Sequence, residues 1–312
     1  AGGSPSPGGR FEVLETLGRG SVGVVYRAMR KQDMKQVALK VVHTADEELA
    51  AVARHEYDIL RSIDSPLVVG ALEFVASATQ TVLVLEYFPG TTLTTAVSNA
   101  PHRRLQDVAA RGVFRLLMEA IAHLHGVGIV HRDVKPDNVL VSLEPLDLRL
   151  IDFHTARPGG SGSKGGGDCA AACGGGEVGG GVPGECLVLG KAGTQLFAAP
   201  EVIDLNEPAL EGNDIWAAGL CLYFMLSRRL PWGCGETTSS LLAACKSPEQ
   251  ACSPRTSDSL LGDDPAGRPP RLPEPCREVL RSCLSVDASQ RPSAEQVLSS
   301  PWLQHPSPPS AP

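Results

Sequence analysis

The chain has 312 residues, 42% of them hydrophobic, enough for a sizeable core and too many for global disorder. Its formal net charge of −7 argues against a nucleic-acid binder, which carries a basic excess. Nine scattered cysteines, odd in number and without a CxxC pair, argue against a disulfide framework or a zinc site and fit reduced thiols in the cytoplasm or another reducing intracellular compartment.

Residues 1–9 (AGGSPSPGG) have the composition of a flexible linker, and the Pro/Ser-rich tail 304–312 is similar. Such ends are expected of a domain cut from a longer protein. Between Phe11 and Leu85 the pattern is mainly that of strands, with Val24-Val25-Tyr26, Val37 to Val42 and Thr81 to Leu85 as the β-rich runs. One helix interrupts them at about 47–63, because Leu49, Val52, Ile59, Leu60 and Ile63 recur at helical spacing. Glu56 falls inside that apolar stripe, whereas Asp58 points elsewhere. A carboxylate on a buried face needs a partner.

Residues 86–91 join this part to a second one, 92–303, in which helical patterning takes over. Val113, Phe114, Leu117, Ile121 and Leu124 form a core-facing stripe, and Ile215 to Leu226 is apolar nearly all round, as in a central helix. That run is shorter than the roughly 18 residues of a membrane span, so no span is expected. The order of strands then helices predicts an α+β chain with a small β-rich lobe (10–85) and a larger, mainly helical lobe. Two stretches break the pattern. About half of residues 159–184 are glycine, and 236–273 is rich in Ser, Pro, Asp and Gly and reads as an irregular insertion.

Four strings carry chemistry. Gly18-Arg19-Gly20-Ser21-Val22-Gly23-Val24-Val25 is a glycine turn whose backbone N–H groups can approach phosphates. A dinucleotide-binding turn of this spacing opens a helix; here β-branched residues follow, so the chain continues as a strand. Val37-Ala38-Leu39-Lys40 sets a lysine on an apolar strand. His131-Arg132-Asp133-Val134-Lys135-Pro136-Asp137-Asn138 gathers a carboxylate, an ammonium and an amide within six residues. Ile151-Asp152-Phe153-His154 adds a second carboxylate.

In this order the strings resemble the signature set of eukaryotic-type Ser/Thr protein kinases, over about Phe11 to Leu303. The resemblance implies a bilobal protein-kinase-like fold, ATP and Mg²⁺ as cosubstrate and cofactor, and a protein partner offering a Ser or Thr hydroxyl. It implies that Asp133 accepts or orients the hydroxyl proton, that Lys135 steadies the transferred phosphoryl group, and that Thr194 hydrogen-bonds beside them. Asn138 and Asp152 would be the metal ligands. Lys40, held by Glu56, would meet the α- and β-phosphates. The glycine turn with Leu17, Ala38, Glu86, Phe88 and Leu140 would complete the nucleotide site, Val25 packing on the adenine. Glu201 would pair with Arg291, and Asp214 would brace the backbone of the catalytic loop. Histidine at position 154 departs from the family, which has glycine there; histidine tolerates fewer backbone angles, so exchange of Phe153 between inward and outward arrangements is expected to be restricted. That departure and the glycine-rich stretch leave a pseudokinase, a nucleotide-binding or scaffolding regulator, as the alternative. In the glycine-rich stretch Ser161 and Ser163 are candidate phosphorylation sites, their phosphates able to pair with Arg132.

Overall fold

The computed structural model describes residues 9–20, 23–43, 47–77, 80–159, 196–204, 210–228, 230 and 272–304. Ser21, Val22, Thr194, Ser161 and Ser163 lie outside the described residues, as do both chain ends and nearly all of the glycine-rich stretch and the 236–273 insertion.

Five strands form one antiparallel sheet: β1 (Phe11–Arg19), β2 (Val24–Arg30), β3 (Lys35–His43), β4 (Ala71–Ala76) and β5 (Gln80–Glu86), in the order β1-β2-β3-β5-β4. β3 is central. Its residues Val37 to Val42 are buried on both faces, which suits a nearly continuous apolar run rather than an alternating one. Lys40 is the cation in that run, paired in register with Val25 on one side and Leu83 on the other. Helix α1 (Glu47–Arg61) packs on β3, β4 and β5 through the face that carries Ala53, Glu56 and Leu60. It ends two residues earlier than its periodicity predicts, because Ser62 turns both its amide and its hydroxyl onto the carbonyl of Ile59.

The second lobe is built around α3 (Asp107–Gly126) and a helix buried nearly all round, α5 (Glu211–Ser227). The expected stripe of α3, Val113, Phe114, Leu117, Ile121 and Leu124, is fully buried. Shorter helices complete it: α2 (Leu93–Asn99), α4 (Pro200–Asp204), α6 (Glu274–Cys283), α7 (Ala294–Leu298) and α8 (Pro301–Gln304). Helical patterning alone misses the small strands here. β6 (Thr91–Thr92), β8 (Val139–Leu143) and β9 (Leu146–Leu150) make a three-stranded sheet, and β7 (Ile129–Val130) pairs with β10 (Arg157–Pro158). These short ladders position the chemistry. The loop 131–138 is held between β7 and β8, and the segment 151–156 between β9 and β10, so the two run side by side beneath the five-stranded sheet. Leu150 ties the lobes together, its amide donating to Leu67 and its carbonyl accepting from Val69.

Candidate active site

Three elements deliver one charge each to a single point. From β3, Lys40 Nζ donates to Glu56 Oε2 on α1 (2.6 Å) and to Asp152 Oδ1 in the segment after β9 (2.8 Å). The inward phase of Glu56 in α1 is what makes this possible, and its 1% exposure shows how fully the site removes it from water. Burial opposes the charge on Lys40, but the two carboxylates outweigh it and hold the ammonium above the ordinary lysine value. Burial likewise opposes charge on Asp152, and Lys40 together with the His154 ring overcomes it, holding the carboxyl well below the usual range. Two carboxylates face one ammonium here, and the His154 ring stands 2.7 Å from the second of them.

The loop 131–138 is fixed by a separate network. Asp214 at the start of α5 is wholly buried and accepts from the backbone N–H groups of His131 (2.9 Å) and Arg132 (2.8 Å) and from His125 Nε2 (3.0 Å). Arg132 adopts a left-handed backbone angle (φ 70°), which turns the chain so that Asp133 faces the cleft. His131 Nε2 donates to the carbonyl of Ile151 (3.1 Å) while its Nδ1 accepts from the amide of Asp133 (3.2 Å); a carbonyl only accepts, so the proton sits on Nε2. Its ring also meets Phe153 edge-on at 4.6 Å, and Phe153 is fully buried. His131 therefore packs the loop.

Asp133 is nearly buried and well supplied with donors. Lys135 Nζ reaches its Oδ2 at 2.7 Å, and Asn138 Nδ2 donates to the same oxygen (2.9 Å) and to the Asp133 carbonyl (2.8 Å). The Asn138 amide is thereby oriented with its nitrogen inward, so its carbonyl oxygen, the end able to ligate a hard cation, is turned away from Asp133. Asp152 and Asn138 together offer oxygen ligands of the kind Mg²⁺ takes, and the donor set fits that ion.

The glycine turn divides by role. A Cβ on Gly23 would lie 2.2 Å from the carbonyl oxygen of Val41, so close approach to β3 demands glycine there. A Cβ on Gly18 would meet nothing within 4 Å, and one on Gly20 only the carbonyl of Gly23 at 3.8 Å. Packing among the described residues thus leaves space above the turn. Ala38, Val25, Phe88 and Leu140 are buried or half-buried near the connection between the lobes, whereas Leu17 and Glu86 are exposed at its margin. Glu86 contributes its amide to Gly70 (2.8 Å).

Position 154 gives an unexpected result. The left-handed backbone of this segment falls on Asp152 (φ 67°) and not on His154, so histidine carries no backbone strain in this arrangement. Its ring instead bonds Asp152 Oδ1 through Nδ1 at 2.7 Å. Position in a motif gave no signal for this contact. Downstream, the pair predicted between Glu201 and Arg291 is present and bidentate, at 2.6 and 2.7 Å.

A family model described as the protein kinase domain matches residues 11–303. The chain is 28% identical over 300 residues to CBL-interacting protein kinase 10 of Oryza sativa subsp. japonica, covering 95% of this chain and 57% of that protein. It is 27% identical over 306 residues to CBL-interacting protein kinase 16 of the same source, covering 95% and 57%. It is also 27% identical over 299 residues to sperm motility kinase 2B of Mus musculus, covering 94% and 52%. The chain spans little more than half the length of these relatives.

Proposed function

Since the chain belongs to the protein kinase domain family, we propose that it is a protein serine/threonine kinase that transfers the γ-phosphoryl group of ATP to a Ser or Thr hydroxyl of a protein, with Mg²⁺. The observation that carries the reading is the convergence of Lys40, Glu56 and Asp152 from β3, α1 and the segment after β9. A buried ammonium shared by two carboxylates, one of them partly open to the cleft, is a charged arrangement suited to phosphate on the ammonium and a divalent cation on the open carboxylate.

The geometry supports the following roles. Both hydrogen bonds to the Asp133 side chain from described residues fall on Oδ2, so Oδ1 is the oxygen aimed at an incoming hydroxyl, to orient it and take its proton. Lys135, beside it, follows negative charge on the transferred group. Lys40 holds the α- and β-phosphates while Glu56 fixes its direction. The turn 18–23 covers the phosphates with backbone N–H groups, and Leu17, Val25, Ala38, Glu86, Phe88 and Leu140 take the adenine end. Asp152 and Asn138 would hold the metal, which supplies charge neutralisation between the phosphates. Thr194 would support Asp133 and Lys135 from the segment before α4. Lysine two positions after Asp133 resembles the Ser/Thr class, which supports a Ser or Thr acceptor. The complete set of charged groups argues against the pseudokinase alternative.

The test is phosphoryl transfer from γ-labelled ATP to a generic protein substrate, comparing wild type with Asp133→Asn. We expect kcat to fall by roughly a hundredfold or more with nucleotide affinity kept. Near-wild-type turnover in the variant would remove the assignment.

A further inference from the structure

We propose that His154 is a positioning residue that pins the Asp152 carboxylate by one oxygen and so presents the other to the divalent cation. The argument begins with which oxygen is used. Lys40 Nζ and His154 Nδ1 both bond Oδ1, at 2.8 and 2.7 Å, and no described residue bonds Oδ2. A carboxylate with one oxygen held from two directions has lost its rotation about the Cβ–Cγ bond. Its free oxygen then has one heading, which is what a cation demanding near-ideal octahedral geometry requires.

The contact depends on the local backbone. Side chains two residues apart on an extended chain share a face but stand too far apart for a short bond. The left-handed angle at Asp152 folds the chain and brings the ring of residue 154 back over the carboxylate. The fold is held from both sides: Thr155 Oγ1 donates to the carbonyl of His131 (3.0 Å), His55 of α1 lies 2.8 Å from the carbonyl of Ala156, and Phe153 is buried against His131. Because a carboxylate can only accept, His154 Nδ1 is the donor in this bond. Glycine at 154 would give the same backbone and no clamp. Histidine here is thus an addition to the metal site, one that trades backbone freedom for side-chain order.

The inference rests on Asp152 being a metal ligand, and the experiment separates the two claims. Affinity for a non-hydrolysable ATP analogue is measured by calorimetry with and without Mg²⁺ in wild type, His154→Leu, His154→Gly, His154→Asn and Asp152→Ala. The gain in affinity on adding Mg²⁺ should fall about fivefold to tenfold in His154→Leu and His154→Gly, the worth of one hydrogen bond to a charged group in a half-open site. His154→Asn, whose side-chain amide can donate from nearly the same place, should restore it, and metal-free affinity should stay within about twofold across the His154 variants. A structural role alone would not be rescued by asparagine. If His154→Leu does not fold, His154→Gly, which matches the residue found in the resembling family, carries the comparison. An unchanged Mg²⁺ gain in the His154 variants, or failure of asparagine to rescue, overturns the positioning role even where Asp152→Ala loses the gain. A wild-type gain in Asp152→Ala removes the metal-ligand reading and the proposal with it.

Discussion

Two buried ion pairs in this protein have the same length and opposite surroundings. Lys40–Glu56 and Arg291–Glu201 each close to 2.6 Å. Arg291 is saturated by a rigid frame: Glu201 takes two of its N–H groups, the carbonyls of Gly212 (3.0 Å) and Ser285 (2.8 Å) take others, and its plane lies 5.0 Å from the Trp216 ring centre. Lys40 has two carboxylates, and one of them, Asp152, stands partly open to the cleft. The first pair is a strut, since nothing can replace five fixed contacts. The second is open, since the ammonium has three N–H donors and two carboxylate partners, so a phosphate oxygen can take the third while Asp152 keeps its place. Charge and distance alone do not separate the two; the count and mobility of the remaining partners does.

Conservative swaps at the two cations sharpen that contrast. Lys40→Arg keeps the charge but moves it into a planar fork that cannot stand at one point between Glu56, Asp152 and phosphate. Phosphoryl transfer should drop about a hundredfold or more, while stability in urea changes little. Arg291→Lys should do the reverse. It loses the bidentate geometry and the carbonyl bonds, at about 2–3 kcal/mol of stability, with the turnover of the folded fraction close to wild type. Activity per folded molecule and the urea midpoint, measured on both variants, test the pair of statements. If Lys40→Arg unfolds first and Arg291→Lys loses turnover first, the distinction between strut and open pair is wrong.

A weaker effect concerns pH. Asp152 titrates below its free value, so its contribution is present above about pH 4 and disappears as pH falls through the depressed value. Lys40 titrates above its free value, so its contribution is full below about pH 10 and is lost as pH rises through the raised one. The charges of Lys40 and Asp152 are therefore constant between about pH 5 and 9. The stability lost on Asp152→Ala, measured in urea without nucleotide, should be flat across that window, and a step within it would show that another group controls the contact.

How far the sequence carries the site depends on the range of each interaction. The inward phase of Glu56 is visible because a helix repeats every 3.6 residues and Leu49, Val52 and Leu60 mark the buried side. The family resemblance implies the pairs Lys40–Glu56 and Glu201–Arg291, and both are present. The hairpin β8–β9 was hidden because two five-residue strands offer too few alternations to stand against the helical pattern around them. The role of His154 was hidden for a different reason. The expected difficulty was its own backbone angle, yet the unusual angle belongs to Asp152, and only coordinates reveal which of two neighbours carries a left-handed turn. Likewise the demand for glycine at position 23 comes from Val41, a residue on another strand.

The smallest effect tests the comparison from inside the large lobe. Cys283 is buried at the contact of α6 with α5, where a Cβ on Gly219 would already lie 2.9 Å from the Cβ of Cys283. Burial pushes its thiol up to about 12, outweighing the hydrogen bond with Ser282 and the nearby charge of Arg291, which act the other way. Both lack of access and lack of thiolate should keep Cys283 unmodified by iodoacetamide at pH 8 in the native protein. Site-resolved mass spectrometry should therefore find it alkylated only through opening of the lobe. If Arg291 is the strut, Arg291→Lys should raise that slow rate about thirtyfold or more, the change in open population expected for about 2 kcal/mol. Lys40→Arg should leave it at the wild-type rate, because its pair joins α1 to β3 and lies outside the contact that guards Cys283. Equal rates in the two variants would mean that opening at α6 senses both pairs, and that the two lobes unfold as one unit.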